Sequence, residues 1–147
     1  MRLVVDASVL VAELLRTRGR ALVAHPALQL YLPERTWDEA THELAHRVET
    51  LVQGKRLSRP AAGDLIAAAT VLVDAAVMIV PEVVYAPAKQ RALARVPRDP
   101  DDWPAVALAM VLDAGIWTGD ADFLGCGLPT WTTDTLLAEV TRDSQSR

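Results

Sequence analysis

Six carboxylates stand where this chain changes direction. Asp6 follows the apolar run Leu3-Val4-Val5, Glu39 lies in an amphipathic stretch, Asp99 and Asp102 flank Pro100, and Asp120 and Asp122 follow Ile116-Trp117-Thr118. Hard oxygen donors of this type suit Mg²⁺ or Mn²⁺; an ion among them would offset their mutual repulsion, orient a phosphodiester and activate a water for attack on phosphorus. The residues leave open whether one ion or two would be held. Without an ion the same acids form a regulatory or partner surface on a catalytically silent interaction module. In that reading Asp102 is a helix cap, and Asp120 with Asp122 a solvated turn.

A second constellation is His42-Glu43-Leu44-Ala45-His46. Two imidazoles one helical turn apart, with a glutamate between them, are the arrangement by which a zinc metalloprotease holds its ion and polarises water. The site needs a third protein ligand, and His25, the only other histidine, has no zinc motif around it. The plainer reading is two polar-face histidines and a helix acid. Arg16, Arg18 and Arg20 form one short basic group, and Lys55, Arg56 and Arg59 another. Either can neutralise phosphates beside an acidic centre, and either also reads as solvated loop charge.

Fifteen Lys+Arg against nineteen Asp+Glu give a formal charge of −4, which excludes a protein that binds nucleic acid through bulk positive charge. The acid excess is local: residues 61–147 hold twelve acids against six basic residues, and six of the twelve fall between Asp99 and Asp122. The lone Cys126 excludes an intrachain disulfide framework and a multi-cysteine zinc site. No apolar run approaches the roughly 18 residues of a membrane span, and the opening residues reach Asp6 too soon for a signal peptide. A cytoplasmic protein without a membrane partner is expected.

The elements that must position these groups follow from periodicity. Leu3 to Val5, Leu30 to Leu32, Val77 to Val80, Ile116 to Thr118 and a short piece within Pro129 to Thr132 read as strands. Helices are expected from Ala7 to Arg16, around Arg20 to Leu28, from Glu34 to Gln53, and from a Ser58 cap towards Asp74. Others are expected from about Ala86 to Arg95, from an Asp101 or Asp102 cap to Leu112, and from Thr133 to Val140. This alternation implies an α/β protein, a three-layer α/β/α sandwich with a mainly parallel sheet of about five strands. With 147 residues, one domain over residues 1–140 and a flexible tail over 141–147 are expected. In such sheets ligands bind beyond the carboxyl ends of the strands, where Asp6 and Asp120 fall.

The ordered motifs resemble the PIN domain, the nuclease fold found in the toxin of many VapBC-type toxin and antitoxin pairs. Val4-Val5-Asp6-Ala7-Ser8-Val9-Leu10 resembles the first acidic motif, and Leu32-Pro33 followed by Glu39 the second, with Glu43 as a competing register. Asp99-Pro100-Asp101-Asp102-Trp103-Pro104 resembles the third, and Thr118-Gly119-Asp120-Ala121-Asp122-Phe123 the fourth. The resemblance implies a Mg²⁺- or Mn²⁺-dependent endoribonuclease, often restrained by a small antitoxin. It implies Asp6, Glu39, Asp102 and Asp120 as catalytic acids, Asp6, Asp102, Asp120 and Asp122 as metal-holding acids, and Asp99 or Glu43 in support. Ser8, Arg16, Thr118, Lys55 and Arg56 are candidates for contacts to RNA. Exposed apolar faces on the helices after Ala61 or Ala86 would serve a homodimer or an antitoxin.

Overall fold

The computed structural model describes residues 1–146. Its centre is a five-stranded sheet in the order β3-β2-β1-β4-β5, formed by β1 (Arg2–Val5), β2 (Gln29–Pro33), β3 (Val77–Val80), β4 (Gly115–Trp117) and β5 (Thr130–Trp131). Every strand pair is parallel. β1 is the middle strand, and its side chains alternate between two cores. Leu3 and Val5 pack on one face, and Val4 joins Ile116 on the other. A strand covered on both faces must be apolar along its whole length, which is why the run is Leu-Val-Val and why the first charge marks its end.

The first face is covered by α1 (Ala7–Leu14), α2 (Thr17–Val23), α3 (Glu34–Gln53), α4 (Arg59–Ala76) and α8 (Thr133–Gln145). The second is covered by α5 (Glu82–Tyr85), α6 (Lys89–Arg95) and α7 (Trp103–Leu112). α7 is apolar on nearly every side, with Trp103 through Ala109 all buried, so its position beneath the sheet is fixed by packing rather than by one stripe. The α/β/α sandwich and its parallel sheet are those expected from the sequence.

Four local differences have physical causes. The helix expected around Arg20 to Leu28 starts earlier and ends at Val23, because Pro26 disfavours helical backbone at His25. The segment expected as one helix from about Ala86 to Arg95 is a 3₁₀ turn over Ala86–Ala88 followed by α6, with the short α5 preceding it; Pro87 is taken up in the tighter turn. Asp102 stands at the start of α7 but accepts no capping bond, whereas Asp99 accepts one from the Asp101 N–H. Finally, α8 continues to Gln145, through most of the segment read as a tail. Val140 is buried on α8, and the Thr141 and Ser144 hydroxyls donate to carbonyls one turn back. Arg147 lies outside the described residues.

Gly19 fixes the tight join between α1 and α2. A Cβ there would stand 2.3 Å from the Glu13 carbonyl oxygen and 2.6 Å from the Glu13 Cα. Both are backbone atoms, so the clash has no flexible side chain to relieve it. Gly19→Ala is expected to destabilise the protein by about 1–3 kcal/mol, read as a lower urea midpoint at unchanged slope.

Candidate active site

The register of the sheet determines which residues meet at its carboxyl edge. Val5 lies beside Trp117, so Asp6 and Thr118 are the next pair along β1 and β4. The Asp6 N–H donates to the Trp117 carbonyl at 2.9 Å, continuing the ladder one residue past the strand. The strand order reverses direction between β1 and β4, which makes this the crevice where open parallel sheets accept ligands.

Two hydroxyls hold the Asp6 carboxylate. Thr118 Oγ1 donates to Asp6 Oδ2 at 3.1 Å, and Ser8 Oγ donates to the same oxygen at 3.2 Å. Thr118 Oγ1 also accepts the Asp120 N–H at 2.9 Å, so one buried hydroxyl links the two acidic segments. Asp120 Oδ1 in turn accepts the Asp122 N–H at 2.8 Å, which shapes the turn after β4. Burial pushes the Asp6 carboxyl above its ordinary range; the hydroxyls of Thr118 and Ser8 oppose that shift and the charge of Asp120 adds to it. Ser8 and Thr118, candidates from the sequence for contacts to RNA, both donate to Asp6.

Asp102 arrives from the opposite layer, at the start of α7. With Asp6, Glu39 and Asp99 it lines a cleft of about 210 Å³, together with Thr36 and Asp101. Its Oδ2 is buried and has no hydrogen-bond partner among the described residues. Burial first, then the charges of Asp99, Asp6, Asp120 and Asp122, push the Asp102 carboxyl up to about 7. The fold therefore gathers the acids of three motifs around one carboxyl. Asp122 stands at 4.0 Å from the Arg98 guanidinium, which leaves it at the edge of the group.

Glu39 and Glu43 separate clearly. Glu39 lines the cleft from the second turn of α3, whereas Glu43 accepts a 2.7 Å hydrogen bond from Arg47 Nε. That contact holds the Glu43 carboxyl below its usual range. His42 and His46 are exposed on α3, and His25 Nδ1 accepts the Ala27 N–H in its own loop. Among the described residues no three His, Cys, Asp or Glu side chains enclose one ion as they stand, in the HELAH segment or in the acid cleft.

The basic candidates lie elsewhere. Arg16 is at the far end of α1 beside Glu13, at 3.8 Å. Lys55 and Arg56 follow the end of α3, a 20-residue helix that starts at the cleft and so carries them about 30 Å along its axis. Three cations adjoin cleft-lining residues along the chain or through an aromatic contact: Arg98 precedes Asp99, Arg35 precedes Thr36, and the Lys89 ammonium lies 4.9 Å from the centroid of the ring of Trp103, which follows Asp102. Sequence spacing gave no sign that Arg35 and Lys89 meet at one ring, because they and Trp103 come from three separate elements. Trp103 itself is 5% exposed and packs on Tyr85, so it is a core residue rather than a base-stacking surface.

A family model described as the PIN domain matches residues 4–141 of the chain. No curated protein matches it.

The raised Asp102 carboxyl has a consequence for stability. Well below the ordinary aspartate value of 3.8 it is protonated in both folded and unfolded chains. Between the ordinary carboxylate range and about 7 the unfolded chain ionises first, so folding stability falls with rising pH, and the penalty is complete above 7. Asp102→Asn is expected to stabilise the metal-free protein at pH 8 and to change it little at pH 3.5. Urea unfolding at the two pH values in a chelator checks the difference.

Proposed function

The chain belongs to the PIN domain family, a family of nucleases, and from that premise we propose that it is a divalent-metal-dependent endoribonuclease acting at the cleft lined by Asp6 and Asp102, with Asp120 tied to Asp6 through Thr118. The observation that carries the reading is the half-buried Asp102, one of whose carboxylate oxygens is sealed from solvent and unpartnered amid four other acids. A buried carboxylate in that setting is stabilised by a cation more effectively than by any hydrogen bond the fold supplies. Mg²⁺ is commonly held by one or two carboxylates while water and phosphate oxygens complete its shell, so a closed protein cage is not required. The donor set, all hard oxygen, fits Mg²⁺ or Mn²⁺.

Asp6, Asp102 and Asp120 would hold the ion, with Asp122 and Asp99 adding negative potential around it. When bound, the ion supplies Lewis-acid stabilisation of the charge that develops on phosphorus and lowers the pKa of an attacking water. The chain's own contribution is orientation. Ser8 and Thr118 fix the Asp6 oxygen that both contact, and the Thr118 hydroxyl ties the Asp120 backbone to it. Glu39, exposed at the open side of the cleft, is placed to align or deprotonate a water. RNA is the substrate class of this reading. A toxin role under the control of an antitoxin is part of the same proposal, and so is a single nuclease domain running through α8.

Asp6→Asn and Asp120→Asn are each expected to lower metal-dependent RNA cleavage by about 100-fold or more while leaving the circular dichroism spectrum native. Chelation should abolish cleavage, and Mn²⁺ or Mg²⁺ should restore it. Undiminished cleavage by both folded variants would overturn the assignment.

A further inference from the structure

An acidic cleft and an RNA backbone repel each other, and an ion at the centre can neutralise only the phosphate it touches. The phosphates on either side need cations at the rim. Among the described residues Lys89 makes no ion pair. Its ammonium is instead held at 4.9 Å from the centroid of Trp103, the residue that follows Asp102 in the chain. A charge resting on an indole keeps its N–H donors free for a ligand, and the ring limits where it can go.

The platform under this lysine is rigid. Trp103 is buried and lies at 5.7 Å from Tyr85, whose hydroxyl accepts the Arg35 backbone N–H at 3.2 Å. The Arg35 guanidinium reaches the same indole at 5.8 Å and pairs loosely with Glu82 at 3.4 Å. Thr36 and Asp102, the chain neighbours of Arg35 and Trp103, both line the acid cleft. Two cations thus share one aromatic ring, whose residue follows Asp102 in the chain.

We infer that Lys89, seated on Trp103 with Arg35 at the same ring, binds a backbone phosphate of the RNA next to the bond being cleaved. This rests on the nuclease reading above and adds a positioning contact outside the acidic cluster. The contact is sequence-independent, since a phosphate carries no base identity. It acts through binding, so it belongs to KM rather than to the chemical step.

The probe is bulk transfer RNA, bound in Mg²⁺ by the Asp6→Asn chain so that cleavage does not intervene. Adding Lys89→Ala should reduce the slope of log affinity against log salt by roughly 0.7–0.9, the share of one phosphate, and Lys89→Arg should restore it. In the chain with Asp6 intact, Lys89→Ala should raise KM several-fold at unchanged kcat. A cleaving protein whose slope and KM ignore Lys89→Ala overturns the inference and leaves the nuclease reading standing. RNA that is bound with the expected slope change but never cleaved upholds the contact and overturns the hydrolytic reading. RNA that is neither bound nor cleaved overturns both.

Discussion

Repulsion between carboxylates is the constraint around which this molecule is arranged. Asp102 carries a buried oxygen with no protein partner, in a field made by Asp99, Asp6, Asp120 and Asp122. Such an arrangement opposes folding at neutral pH, so the rest of the chain must hold the acids together against it. The two apolar cores do this. One clamps β1 from the side of α1 and α3, and the other presses α7 against the opposite face. The acid at the start of α7 has little freedom to withdraw, because seven consecutive residues behind it are buried.

Topology converts that packing into convergence. The chain leaves β1 towards β2 on one side and enters β4 on the other, so the ends of β1 and β4 are neighbours in space although they lie more than a hundred residues apart. One hydroxyl then does the local work. Thr118 bonds to the Asp6 carboxylate and to the Asp120 backbone at once, so a displacement of either segment is felt by the other. The span matched by the PIN domain family, residues 4–141, contains all of these acids.

Much of this was legible in the sequence because it depends on patterns of short range. The alternation of apolar runs with helical stripes gives the parallel sandwich, and the first acid after β1 and after β4 marks the sheet edge. Glu39 shows where such reading fails. A helical wheel puts it about 160° from Trp37 and so on the side of α3 away from the core. The wheel contains angle but no position along the axis. Glu39 is in the second turn of a helix that begins at the sheet's carboxyl edge, and there the cleft, rather than the core, is its neighbour. Glu43, one turn further along, is tied to Arg47 instead.

The basic residues fail for a different reason. Clusters in sequence attract attention, yet Arg16, Lys55 and Arg56 stand at helix ends away from the cleft. Apart from Arg98, which faces Asp122, the cations near this end of the fold are single residues on α3 and α6 that share only the indole between them. Their meeting is a product of tertiary packing, since Trp103 is held against Tyr85 and no motif records that contact. The same packing separates opposite charges that would otherwise cancel. Lys89 rests on an aromatic face rather than on a carboxylate, which keeps the cleft's negative potential intact for an ion while leaving a positive charge beside it. A net charge of −4 therefore describes the sum of two local fields, and a polyanionic substrate would meet the field at the cleft and its rim rather than the sum.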